Sequence, residues 1–291
     1  MNRLSIVALA LSTATMVACG GETETTDTLP NDTTTTVETP TPPAEDDEEM
    51  VDIEDVDLPS PLQIAGILND AGMNHNADLG HDPSMAGNYT TFNQKAMNFG
   101  IYNGDLNYCV MNGETERSGA YLQAIHQLAD DLGFSSIMDG EAMLANLESN
   151  VDDQDALNEM LEEMEDNLEE YMEVNEIKYV MPVVFAGGFV ENMYLASMSL
   201  TSEGNDELES RLVSEMRILD NLLEGLNANP DKDDALNMLI TDLEAVKSTY
   251  KNFSIVADLG EGNDENLTIS DDELTALAGA LTTARNHIVG E

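Results

Sequence analysis

The segment KYVMPVVFAGGFVENMYLASMSL, residues 178–200, decides the fold. From Tyr179 to Leu195 it is apolar nearly all round. That leaves two readings, a membrane-spanning helix or a central helix wrapped by its neighbours. Pro182, Glu191 and Asn192 are costly in lipid, and they favour the buried core helix. The pair Gly187-Gly188 at its middle lacks side chains, so a second backbone can approach closely there.

The flanking segments supply the wrapping. Residues 156–174 place Leu157, Leu161, Met164, Leu168 and Tyr171 at steps of four and three. Residues 206–226 repeat the pattern with Leu208, Leu212, Met216, Leu219, Leu223 and Leu226. Residues 234–253 do so with Ala235, Leu239, Leu243, Val246, Tyr250 and Phe253. Each reads as a one-sided helix with acids on its outer face. No stretch of comparable length alternates with period two.

Helix starts are signalled by Ser60-Pro61-Leu62-Gln63, Thr91-Phe92-Asn93-Gln94 and Ser270-Asp271-Asp272-Glu273. All three fit a capping box, and the first adds a proline at the opening helical position. The expected fold is an all-α, multi-helix bundle of about eight or nine helices. They fall near 61–72, 92–111, 115–132, 138–149, 153–174, 178–200, 206–227, 232–253 and 271–289. One core can form from about 234 residues. A division near the polar stretch at 149–153 is the alternative, and no fixed period points to a solenoid.

The N-terminal part has a different composition. Arg3 precedes an apolar run from Leu4 to Val17, which suits a signal peptide at residues 1–18 and is too short for a spanning helix. The run ends in Met16-Val17-Ala18-Cys19-Gly20, which resembles the lipobox of bacterial lipoproteins. The resemblance implies cleavage before Cys19, a diacylated sulfur and an acylated amino group. The expected location is therefore the cell envelope, lipid-anchored. Gly20 stands where an aspartate tends to mean inner-membrane retention in that family, which favours the outer membrane. Residues 19–57 form the anchor and a Thr-, Glu-, Asp- and Pro-rich tether. Such a segment buries too little surface to offset its ordering entropy. At about 38 residues it averages roughly 35 Å end to end, and its own charge stretches it further. Leu58–Ala65, Tyr102–Tyr108 and Phe185–Tyr194 resemble parts of uncharacterised helical lipoproteins of Gram-negative bacteria. That likeness implies location and fold and carries over no functional residue.

Nine Lys and Arg against 58 Asp and Glu leave the mature chain near −49. Nucleic acids and anionic lipid surfaces are poor partners for such a surface. The acidity suits a solvated face in a salty environment, or a face for cations or a basic partner. The expected partners are the membrane, through the anchor, and an envelope protein.

Three charged residues stand out because they fall on apolar faces. Asp105 follows Ile101 by four residues, Glu191 lies in the most apolar helix, and Arg285 follows Leu274, Leu277, Ala278 and Leu281. Arg285 is expected to pair with Asp105 or Glu191 inside the bundle. The pair serves either as a register-fixing ion pair or as part of a polar ligand pocket. Cys109, the second cysteine, is expected to be buried and inert, since a reactive thiol wants cationic neighbours.

His75, Asp78, His81 and Asp82 gather in one loop and are possible transition-metal ligands. Residues 262–273 have a faint EF-hand look, with Asp264, Asn266, Ser270 and Glu273 in place. Gly262 and Leu267 break the pattern, and the capping box accounts for Ser270 and Glu273. The methionines, Met160 and Met164 among them, read as core filling rather than copper ligands. His126 and His287 belong to no paired metal motif. No cofactor is expected, and no nucleophile elbow, phosphate loop, zincin pair or Cys–His dyad occurs. The resulting expectation is a non-enzymatic envelope module that binds or scaffolds. The alternative is a binder of a small ligand or divalent cation.

Overall fold

The computed structural model describes residues 58–137, 140–150, 153–257 and 267–290. The signal peptide, Cys19 and the tether lie outside the described residues, as do Asp264 and Asn266 of the EF-hand-like stretch. Glu49–Glu291 forms one compact unit, with no division near residue 150.

The described residues form an all-α bundle. Its helices are α1 (Pro61–Asp70), α2 (Phe92–Met111), α3 (Thr115–Leu132), α4 (Gly140–Ser149) and α5 (Gln154–Val174). They continue with α6 (Met181–Ser202), α7 (Asp206–Glu215), α8 (Leu219–Ala228), α9 (Asp234–Lys251), α10 (Ser254–Ala257) and α11 (Asp271–Val289). Apart from the short α10, which no expected range covers, the helices follow the expected ranges within a few residues. The segment expected as one helix over 206–227 is two. A 3-10 turn at Met216–Ile218 separates α7 from α8, while Met216 and Leu219 stay buried across it.

Helix α6 occupies the centre. By length and composition it could cross a membrane, yet 89% of its apolar window is buried by the protein itself. Pro182 falls in its first turn, where the missing N–H has no partner to lose. Its main neighbour is α2, and the two touch through glycines. A Cβ built on Gly100 would lie 2.0 Å from the Val184 carbonyl oxygen, and one on Gly187 2.0 Å from that of Met97. A turn further along, a Cβ on Gly104 would lie 3.1 Å from Glu191 Cβ. The glycines thus set the α2–α6 distance, and α3, α9 and α11 close over the outside of the pair.

Thr91 and Ser270 form full capping boxes with Gln94 and Glu273. At Ser60 the arrangement differs. Ser60 Oγ accepts from the Gln63 amide at 3.2 Å, but the reaching acid is Glu165 of α5. Its carboxylate accepts the Ser60 hydroxyl and the Leu62 amide, the latter at 3.0 Å. The start of α1 is therefore held by a residue about a hundred positions away.

Candidate functional site

Helix α2 is buried along most of its length, so Asp105 follows Gly104 into a space closed to bulk solvent. Glu191 of α6 enters the same space across the glycine contact. Arg285 reaches it from α11. All three expected residues are thus brought together in the core. Arg285 Nε donates to Glu191 Oε2 at 2.7 Å, and a terminal guanidinium nitrogen donates to Glu191 Oε1 at 3.2 Å. The planar fork meets both oxygens, the geometry that makes Arg–carboxylate pairs strong. Arg285 also donates to the Leu79 carbonyl at 3.1 Å, and its guanidinium carbon sits 4.5 Å from the centre of the Tyr194 ring.

Asp105 does not take the arginine. Its Oδ2 accepts the His81 amide at 3.0 Å, and its Oδ1 receives no donor. Burial pushes the Asp105 carboxyl well above the usual carboxylate range, and the charge on Glu191 pushes the same way. Arg285 opposes both and does not prevail. A protonated Asp105 can donate its own hydrogen to Glu191, which accounts for the missing donor at Oδ1. The cluster then holds one cation, one anion and one neutral acid, the charge balance that a dry interior tolerates best.

A loop seals the cluster. Residues 73–82 cross over it, tied down by Leu79 and His81. The Asn74 amide donates to Ser199 Oγ at 2.9 Å. The Tyr108 hydroxyl donates to the Asn74 carbonyl at 2.8 Å and accepts the Asn76 amide at 2.6 Å. Gly80 has no room for a side chain, since a Cβ there would lie 2.3 Å from the Tyr121 hydroxyl and 2.9 Å from Asp105 Oδ1. The sequence carried a signal for Tyr194, three residues after Glu191 and so on the same face. It carried none for the Leu79 carbonyl or the His81 amide, because backbone groups look alike at every position.

The loop expected as a metal candidate spends its side chains otherwise. The His81 ring bonds the Tyr89 hydroxyl at 2.7 Å and stacks on Tyr102. His75 lies against Tyr108, and Asp82 caps the 3-10 turn at Pro83–Asn88 through the Ser84 amide. Among the described residues no three His, Cys, Asp or Glu side chains converge as a metal site. His287 pairs with Asp242 at 2.8 Å, and His126 lies 3.8 Å from Asp130. Glu273 holds Ser270 and the Ser254 amide, which pulls its carboxyl down to about 2. Cys109 is buried on α2, and burial lifts its thiol to about 12, so at neutral pH it carries no reactive thiolate.

Asp105→Asn tests the shared proton. The amide keeps an acceptor for His81 and a donor for Glu191. A raised carboxyl favours folding below its unfolded range near pH 4, and that contribution is lost as pH rises through the folded value. The Asn variant loses this pH dependence. It is therefore expected to be more stable than the parent at pH 8, with the advantage shrinking toward pH 4. Melting curves across that range would decide; a variant less stable than the parent at pH 8 would mean that Asp105 is ionised in the fold.

No family model matches the chain, and neither a curated protein nor a solved structure does.

Proposed function

We propose that this chain is a lipid-anchored protein of the bacterial cell envelope, held by Cys19, whose helical domain binds or scaffolds another envelope component without catalysis. The observation that carries the reading is the sequence Met16-Val17-Ala18-Cys19 directly after a short apolar run. The composition of residues 20–57 agrees with it, since a polar, acidic segment of that length gives a domain reach from a membrane. The core chemistry agrees with a module that does not catalyse. Arg285, Glu191 and Asp105 are committed to one another and to the loop above them, which suits a fold-fixing role better than turnover. The acidic surface favours a basic or cationic counterpart and disfavours nucleic acid. The outer membrane is the proposed destination, on the strength of Gly20 after the cysteine.

Lipid attachment is tested by expressing the full chain in a Gram-negative host fed labelled palmitate. Label on the parent and none on Cys19→Ser is expected. An unlabelled parent, or label that survives in the variant, would refute the anchor. Cross-linking in cells then asks for the partner.

A second reading is a small-ligand binder. It is favoured by a pocket of about 300 Å³ beside the start of α1.

A further inference from the structure

The pocket lies between the start of α1, the middle of α5 and the first turns of α6. Its floor is carbon. Phe99, Val184 and Phe185 form it, Met164 and Met181 flank it, and Gly100 and Gly188 also line it. Its volume of about 300 Å³ is at the lower end for sites that take small organic ligands.

One wall is charged. Glu165, Asp166 and Glu169 line it from α5, a helix with nine acids and no base. Glu165 is engaged with Ser60 and the Leu62 amide, while Asp166 and Glu169 are exposed at the rim. The single cation of the lining, Lys178, faces Glu173 at 3.6 Å. An apolar floor below a rim with three acids and one lysine has a definite complement. We propose that this pocket binds a small organic monocation, an apolar body carrying one ammonium group, with the body on Phe99 and Phe185 and the charge toward Asp166 and Glu169.

The charge distribution argues against the other occupants. An anion meets the carboxylate wall. Calcium or magnesium needs about six oxygens around it and zinc about four converging ligands, and here the acids lie along one side while the floor offers carbon. The chain's own residues 50–57 adjoin Leu58 at the pocket edge, but Asp52, Glu54, Asp55 and Asp57 would bring acids to acids. The inference rests on the binding-module reading and is independent of the anchor.

The test uses the mature chain from residue 19 on, carrying Cys19→Ser so that no acyl chain is attached, with methyl-labelled methionine read by NMR at fixed ionic strength. Three probes of one shape are titrated: phenethylammonium, 2-phenylethanol and 3-phenylpropionate. Phenethylammonium is expected to shift the Met164 and Met181 methyl signals saturably, at least about fivefold tighter than the alcohol, with the carboxylate weakest. The double variant Asp166→Asn, Glu169→Gln changes only exposed side chains. It is expected to bring the amine down to the alcohol's affinity. Equal binding of all three probes would overturn the proposal, as would no shift with any. Amine binding that is unchanged in the double variant would overturn it too. So would amine binding that needs Val51 and Ile53 replaced by serine, since the chain's own segment would then be the occupant. Any of these leaves the palmitate result on Cys19 standing, and a failed palmitate result leaves the amine titration standing.

Discussion

Arg285→Ala lowers the stability of the domain by about 3–5 kcal/mol, the usual consequence of stranding one charge of a buried pair. For a domain of this size that is roughly 6–20 °C in melting temperature. The cause is specific. Glu191 is fully buried, accepts two hydrogen bonds from the guanidinium, and has the Asp105 carboxyl close by. Without the arginine it must take up a proton or stay charged while buried. The loop above also loses its bond to the Leu79 carbonyl. The double variant Arg285→Met, Glu191→Met removes both charges together and is expected to recover most of the loss, because an apolar replacement leaves no ion stranded. Urea melts of the parent, the single variants Arg285→Met and Glu191→Met, and the double variant give the coupling directly. If Arg285→Ala melted with the parent, the buried pair would contribute nothing to stability. If the double variant were worse than the sum of its singles, the pair would do more than cancel its own charge.

Gly100→Ala and Gly187→Ala are expected to cost about 3 kcal/mol or more each, at the upper end for overpacking. Most core alanines are benign, but here the added methyl meets backbone. At both positions it would sit 2.0 Å from a carbonyl oxygen of the facing helix, which cannot rotate away. Helices α2 and α6 must separate, and the separation reaches Asp105 and Glu191 one turn further along. Gly279→Ala supplies the control. Gly279 lies mid-helix in α11, with nothing within 4 Å of a built Cβ. There the substitution is expected to stabilise by about 0.5–1 kcal/mol through helix propensity alone. Unfolding midpoints of the three variants form the test. A Gly100→Ala protein as stable as its parent would mean that the two backbones do not meet at this register.

The helices were legible because their causes are local. The spacing of Leu157, Leu161, Met164 and Leu168 predicts a one-sided helix over 156–174, and α5 covers it with those residues inward. The caps at Thr91 and Ser270 depend on groups three residues apart, so they are written in the chain itself. The cap at Ser60 shows where this stops. Its acid is Glu165, which sequence distance hides among many equivalent acids. The break at Met216–Ile218 was equally invisible, because the apolar stripe runs through it unchanged.

The candidate site divides along the same line. That Asp105, Glu191 and Arg285 would leave the surface follows from their apolar faces. Gly187-Gly188 announced a close approach but not the helix that makes it. Only the tertiary structure decided that Arg285 bonds Glu191 and passes over Asp105, that Asp105 turns to the His81 amide, and that a loop closes the space. Periodicity and capping are set by interactions within one turn of helix, so the sequence determines that this protein is a bundle of helices with three charges turned inward. Which charge meets which depends on distances between helices, and those are fixed by contacts such as Gly100 on Gly187 that exist only once the chain has folded.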